Sequence, residues 1–201
     1  MTADFTNWLL SSSIPSIRYL TLRLLLERPE EDADVQAERQ AMRAGGPIQA
    51  ILDKQTANGS WEGEHSYYTP KYTSTHWSLM LLVELAADPD NFQFQRGVEY
   101  MLSAAPQNWM LLGNFEKPVP DPDQYGLSCF WGNVLRYMAY AKRADDPRVQ
   151  PIVDYVARNL HNGGCGCHIN AFLPCAWGAA RALWGLAALP NRSDYVEAAI
   201  Q

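Results

Sequence analysis

The chain has 201 residues, enough for one domain of ordinary size or a small array of repeats. Hydrophobic residues make up 47% of it and charged residues 19%, a globular balance that excludes a disordered chain. The formal net charge of −6 excludes a protein whose overall charge attracts nucleic acid.

The sequence also argues against insertion into a membrane and against secretion. It has no apolar run long enough for a spanning helix, and Met1 to Phe5 lacks the basic and then apolar pattern of a secretory signal. Four cysteines without such a signal indicate a reducing compartment. We therefore expect a cytoplasmic protein.

The first 45 residues predict N-terminal helices. A short helix is expected from Asp4 to Leu10, and a second one follows Pro15, a residue suited to a first helical turn. The second helix places apolar side chains on a helical period. They are Ile17, Leu20, Leu24 and Leu25. A polar helix is expected from Asp32 to Arg43, and Pro47 opens the next one.

Three later segments are alike, and each contains a tryptophan. They are Thr75-His76-Trp77-Ser78, Cys129-Phe130-Trp131-Gly132 and Cys175-Ala176-Trp177-Gly178. An apolar helical stretch and a proline-containing break follow each one. The tryptophans lie roughly 50 residues apart, a period typical of stacked helix pairs. Each such pair must pack on its neighbours to bury its apolar face.

The Trp helices are predicted to alternate with partner helices. The Trp helices should begin near Thr73, Leu127 and Leu173, and partner helices are expected over Phe92–Ser103 and Val149–Leu160. The intervening segments are predicted to lie outside helices: a long loop over Ala105–Tyr125, a thiol-rich loop over Gly163–His168 and a polar tail over Asn191–Gln201. Strand patterns are poor. The sequence therefore predicts one all-α domain, with N-terminal helices over 1–45 and helix-pair repeats over 46–91, 92–147 and 148–201.

This pattern resembles the α/α-toroid superfamily, which contains squalene–hopene cyclases, oxidosqualene cyclases and the β subunits of protein prenyltransferases. The segment Gln55-x-x-x-Gly59-x-Trp61 is similar to the QW motif of that superfamily, in which Gln and Trp tie the end of one helix to its neighbour. The motif occurs once. The later repeats keep the helix pair but lose the Gln and Gly, and the resemblance covers roughly residues 14–201.

The resemblance implies an array of helical hairpins, with Trp helices as an inner ring around an apolar cavity and partner helices outside. Family toroids have about twice as many helix pairs, so this chain looks like one half: a fragment, or one of two copies that close into a homodimer. An alternative is a monomer in which the N-terminal helices fold back as a cap. The dimer is favoured by the apolar flank of the last Trp helix. That flank comprises Ala179, Ala182, Leu183, Leu186 and Leu189.

The family's catalytic motifs are not reproduced. Hopene cyclases carry an Asp-x-Asp-Asp acid, and the nearest segments here are Asp121-Pro122-Asp123-Gln124 and Asp88-Pro89-Asp90-Asn91. The zinc-ligand spacing of protein prenyltransferases is also missing. Neither activity transfers residue by residue.

A cluster of thiols is the sharpest chemical feature of the sequence. Cys165, Cys167, His168 and Cys175 lie within a short glycine-rich stretch, and Cys129 holds the same repeat position as Cys175. Thiolate and imidazole are preferred zinc ligands, so a zinc site is one interpretation. Reduced thiols that only pack, or a reactive cysteine acidified by a helix N-terminus, are the alternatives.

Other candidate residues are a histidine, two aspartates and a set of aromatics. His76 could act as a general base facing the cavity, or be a histidine hydrogen-bonded at a helix start. Asp121 and Asp123 could protonate a substrate or bind a cation, or form a solvated turn. Aromatic faces stabilise carbocations, although loop aromatics also simply pack. The aromatic candidates are Tyr67, Tyr68, Tyr72 and Tyr125 with Trp77, Trp131 and Trp177.

Two hypotheses on function follow. The first is a terpene-cyclase-like or prenyl-transfer-like protein with an aromatic-lined apolar cavity for a hydrophobic, isoprenoid-like ligand. The second is a non-catalytic helical-repeat binding or interaction module. An acid or a metal in the cavity would distinguish them.

Overall fold

A computed structural model of the chain is all-helical. It describes residues 3–62, 67–107, 128–163, 165–167, 170–171 and 173–201, and no strand occurs within these ranges. The prediction of an all-α protein is confirmed. Within the same ranges, no helix is long and apolar enough to cross a membrane.

The helices follow the predicted order. They are α1 Ala3–Leu10, α2 Pro15–Leu20 with a π-helical turn Thr21–Leu25, α3 Ala33–Ala44, α4 Pro47–Leu52, α5 Thr75–Glu84, α6 Phe92–Gln107, α7 Ser128–Tyr140, α8 Gln150–His161, α9 Ala176–Ala187 and α10 Asp194–Ile200. The three Trp helices α5, α7 and α9 begin one to three residues later than predicted. Pro15, Pro47 and Pro151 stand in the first turns of α2, α4 and α8, where the missing amide hydrogen costs nothing.

Two predictions of non-helical structure need correction. The expected polar tail contains α10, because Ser193 caps it by accepting the amide hydrogen of Val196 and because the Val196 side chain is buried. Residues 105–107, where the long loop was expected to begin, are helical, since α6 extends to Gln107. The rest of that predicted loop, 108–125, lies outside the described residues.

The helices pack largely in chain order. Helix α3 contacts both α2 and α4, and α4 contacts α5. Helix α7 lies between the other two Trp helices, and α6 and α8 pack on α5 and α7 respectively. Helix α8 also contacts α9 and α10. The Trp helices are therefore neighbours, each with a partner helix.

The segment that resembles a QW motif joins α4 to α6. The side-chain amide of Gln55 donates to the carbonyl of Gly59 at 3.0 Å and to that of Gln93 at 2.7 Å. The Trp61 indole donates to the Ile51 carbonyl at 2.7 Å and lies over Gly97, where a Cβ would stand 2.5 Å from the ring. The motif residues thus connect the end of one helix to the next pair.

The apolar flank of α9 is largely covered within the chain. Ala182, Leu186 and Leu189 are buried, and α9 contacts α7, α8 and α10. Large apolar side chains are also exposed near the other end of the chain. They are Phe5, Trp8, Leu24, Leu25 and Leu26.

Candidate functional site: an aromatic face on the Trp helices

His76 lies in a nest of aromatic rings in the first turn of α5. Its imidazole centroid is 4.5 Å from the Phe130 ring and 5.6 Å from the Tyr68 ring, and the residue is 1% exposed. Its backbone amide donates to the Tyr67 carbonyl at 2.8 Å, and its Nδ1 lies 3.4 Å from the Tyr137 hydroxyl oxygen. The geometry is that of a buried histidine hydrogen-bonded at a helix start.

Burial shifts the pKa values of His76 and of the neighbouring Tyr137. It lowers the pKa of His76 to about 3, because a charged imidazolium would lose its hydration there. Burial likewise raises the pKa of the Tyr137 hydroxyl, with a further contribution from Tyr67. Both groups are neutral near pH 7. His76 has the proton affinity of a weak base and lies away from the surface that a substrate could reach.

The tyrosines before α5 divide between the core and the surface. Tyr67 is buried, with its ring 5.7 Å from that of Phe130. Tyr68 is half-buried, and its carbonyl accepts a hydrogen bond from the Trp77 indole at 3.0 Å. Tyr72 is exposed, with its ring 5.2 Å from that of Trp77. Tyr125, Asp121 and Asp123 lie outside the described residues.

The three repeated tryptophans have three different environments. Trp131 is 2% exposed and packs edge-on against Phe130 in the core. Trp77 is half-buried between Tyr68 and Tyr72, whereas Trp177 is 60% exposed. Equivalent sequence positions therefore do not give equivalent access to a ligand.

A stack of indoles and guanidinium groups covers α9. The Arg181 guanidinium carbon lies 4.3 Å from the centroid of the Trp177 ring and 4.9 Å from that of Trp184. Arg136 of α7 lies 3.6 Å from the centroid of Trp184, and it also pairs with Glu84 of α5. Sequence reasoning missed Arg136, Arg181 and Trp184 as site residues. The i, i+4, i+7 spacing of Trp177, Arg181 and Trp184 was the signal that could have found them.

An ion pair connects the stack to α5. Trp77, Leu81 and Glu84 also follow an i, i+4, i+7 spacing, and the Glu84–Arg136 ion pair joins this side of α5 to the stack. Leu81 and Trp184 are both exposed, Trp184 by 42%. We call this surface the aromatic face. Its residues are Tyr72, Trp77, Leu81, Glu84, Arg136, Trp177, Arg181 and Trp184.

The cysteines gather where α7 and α9 begin. Cys175 is the N-cap of α9, and its sulfur accepts the Gly178 amide hydrogen at 3.3 Å. A Cβ built on Gly178 would lie 3.2 Å from the Cβ of Cys165 and 3.4 Å from that of Cys175. Burial raises the pKa of Cys129, and the nearby Cys167 and Cys175 raise it further. This direction is opposite to the acidification that a reactive cysteine at a helix N-terminus would need, since desolvation dominates at Cys129.

The zinc interpretation stays a prediction. Among the described residues, no group of three or more His, Cys, Asp or Glu side chains is placed to hold a metal ion. His168, one of the predicted ligands, lies outside those residues.

Comparison with protein-family models, curated proteins and solved structures finds no match to the chain. The resemblance to α/α-toroid proteins therefore stays a hypothesis based on the sequence motifs.

Proposed function

We propose that this protein binds a hydrophobic, isoprenoid-like molecule on the aromatic face. The observation that carries the proposal is the exposure of two indoles on one side of α9, Trp177 by 60% and Trp184 by 42%. Exposing a large apolar ring to water costs free energy, and adjacent exposed rings usually mark an interface or a ligand surface.

The flat ring faces favour an apolar molecule with unsaturated, planar segments. Trp77 and Leu81 on α5 extend the surface beyond the two indoles of α9, which suits an elongated chain. A branched isoprenoid chain would bury apolar area against all four side chains, and its double bonds would stack on the indole rings.

Binding is better supported than chemistry. His76, the candidate base, is buried and enclosed by aromatic rings. On the aromatic face the carboxylate is that of Glu84, which is engaged by Arg136. Terpene cyclisation needs an acid or a leaving diphosphate, and prenyl transfer needs an activated acceptor. We therefore place the non-catalytic binding module ahead of the enzyme.

Equilibrium dialysis with radiolabelled farnesol, a neutral isoprenoid alcohol, tests the proposal. We expect saturable binding that weakens about tenfold in Trp177→Ala and in Trp184→Ala, because each removes an aromatic contact. Trp8→Ala is the matched control, since Trp8 is 67% exposed on α1, away from the aromatic face. Absence of saturable binding, or equal effects of all three variants, would overturn the proposal. Recovery of a new product from farnesyl diphosphate would instead favour the enzyme.

We also infer that two copies associate, which retains the homodimer hypothesis with a different surface. The support is the exposed N-terminal patch of Phe5, Trp8 and Leu24–Leu26, together with the covered flank of α9.

A further inference from the structure

We infer that Arg181 anchors an oxyanion, a carboxylate or a phosphate, at one end of the ligand on the aromatic face. This inference rests on the proposed function and names the class of ligand more closely: an apolar chain with an anionic headgroup.

The first argument is the position of the guanidinium between two indole rings. Arg181 contacts the rings of both Trp177 and Trp184, at 4.3 and 4.9 Å from their centroids. A guanidinium that stacks on an aromatic ring uses a flat side for that contact and keeps its edge of N–H donors for another partner. That edge matches the two oxygens of a carboxylate or phosphate in a bidentate pair.

The second argument is charge. Arg181 has no carboxylate partner in the part of the chain that the structure describes, whereas Arg136 on the same face is paired with Glu84. The face thus carries two guanidinium groups against one carboxylate, although the chain as a whole has a net charge of −6. An unpaired cation kept on an apolar surface of an acidic chain is electrostatically complementary to an anionic ligand.

The third argument is rigidity. Arg181 is half-buried, stands in the middle of α9 and is flanked by both indoles. Its side-chain entropy is therefore partly lost before a ligand arrives, which lowers the entropic cost of binding. An anion placed there would have the apolar surface of Trp177 and Trp184 beside it.

The test compares three probes that share one apolar body: farnesol, farnesoic acid and farnesyl monophosphate. We expect the two anions to bind about tenfold more tightly than the alcohol at low salt, with a preference that shrinks as ionic strength rises. The acid and the monophosphate also show which oxyanion the site prefers.

Variants of Arg181 then test whether this residue causes the tighter binding of the anions. Arg181→Gln should remove the advantage of the anions, measured as the ratio of their affinities to that of farnesol in the same variant, and Arg181→Lys should keep part of it. Lys54→Gln, which removes an exposed positive charge near the end of α4, is the charge-matched control. A circular dichroism melt of each variant confirms that it is folded.

The outcomes separate the two proposals. Equal affinity for all three probes overturns the anion site and leaves the proposed function standing. An anion preference that survives in Arg181→Gln, or that Lys54→Gln removes equally, also overturns it. Failure of all three probes to bind overturns both proposals.

Discussion

Gly132 of α7 and Gly185 of α9 bring two helix backbones into direct contact. A Cβ built on Gly185 would overlap the carbonyl oxygen of Gly132, and one built on Gly132 would overlap the carbonyl of Arg181. Both positions are buried. The absence of a side chain at these two residues therefore fixes how closely the second and third Trp helices approach, and with it the position of Trp184 over Arg136.

We expect Gly185→Ala to destabilise the protein by about 1–3 kcal/mol, because the added methyl group must push the two backbones apart. Ala180→Ser adds one heavy atom at an exposed position of the same helix and should change stability by less than about 0.5 kcal/mol. Urea denaturation measures both. An unchanged midpoint for Gly185→Ala would contradict the close approach. The change should also weaken farnesol binding if α7 and α9 shape the aromatic face.

The helices were predictable, but the aromatic face was predictable only in part. Apolar periodicity and the Trp-Ser and Trp-Gly segments located α5, α7 and α9 because local sequence controls where a helix begins. Whether a given tryptophan faces the core or the solvent depends on how helices distant in sequence pack. Trp131 and Trp177 occupy equivalent repeat positions, yet one is buried and the other exposed. The glycine pair Gly132 and Gly185 determines that packing and has no distinctive sequence period.

Helix α10 was not predicted from the sequence, because packing stabilises it. Its sequence begins with Ser193-Asp194, a good helix start, but the helix has only 7 residues. A polar composition suggested a tail, because a helix this short is not stable by itself. Burial of Val196 and contact with α8 supply the missing stability.

Replacing Gln55 tests the connection between α4 and α6. Gln55→Ala removes the donor to the Gly59 and Gln93 carbonyls, and with it two partly buried hydrogen bonds. We expect a loss of about 1–3 kcal/mol of unfolding free energy. Gln49→Ala is the control, since Gln49 donates to Asp53 on the exposed side of α4. Equal, small effects of both variants in thermal melts would show that Gln55 does not tie the helices together.

Acid should destabilise the protein through His76. The pKa of His76 is about 3 in the folded chain and about 6.5 in the unfolded one, because burial removes the hydration of the charged form. Between these values the unfolded chain binds a proton that the folded chain does not. The contribution of His76 to the free energy of unfolding is therefore fully present above about pH 6.5. It falls as the pH drops, by up to about 1.4 kcal/mol per pH unit.

The variant His76→Phe should flatten this dependence between pH 6.5 and 4.5, whatever its effect on stability at pH 7. His161→Asn should keep the wild-type slope, since His161 is exposed on α8. Urea midpoints measured across the range decide the question. A slope that is the same in wild type and His76→Phe would mean that other groups control the acid response.

Metal analysis tests the zinc hypothesis. If Cys165, Cys167 and Cys175 bind zinc with His168, protein purified without chelator should contain about one zinc per chain, and Cys175→Ser should lose it. Chelation should also raise the reactivity of the thiols toward a disulfide reagent, because thiolates freed from a metal become accessible. Protein with negligible zinc, whose thiols react equally with and without chelator, would instead have packing cysteines.

Sedimentation tests the association of two copies. The exposed apolar side chains of α1 and of the π-helical turn and its end lie on elements that contact each other, so they can form one patch. The Phe5 and Trp8 rings stack at 5.8 Å within it. Burying this patch against the same patch of a second copy would remove the apolar surface of both chains from water, in a twofold-symmetric dimer.

We expect a species heavier than the 22.6 kDa chain at micromolar concentration. The double variant Trp8→Ser, Leu24→Ser should sediment as a monomer, because both residues are exposed and their loss leaves the core intact. Leu81→Ser is the control, since it removes an exposed leucine from the aromatic face and should leave the mass unchanged. A wild-type chain that sediments as a single 22.6 kDa species at every concentration would rule the dimer out.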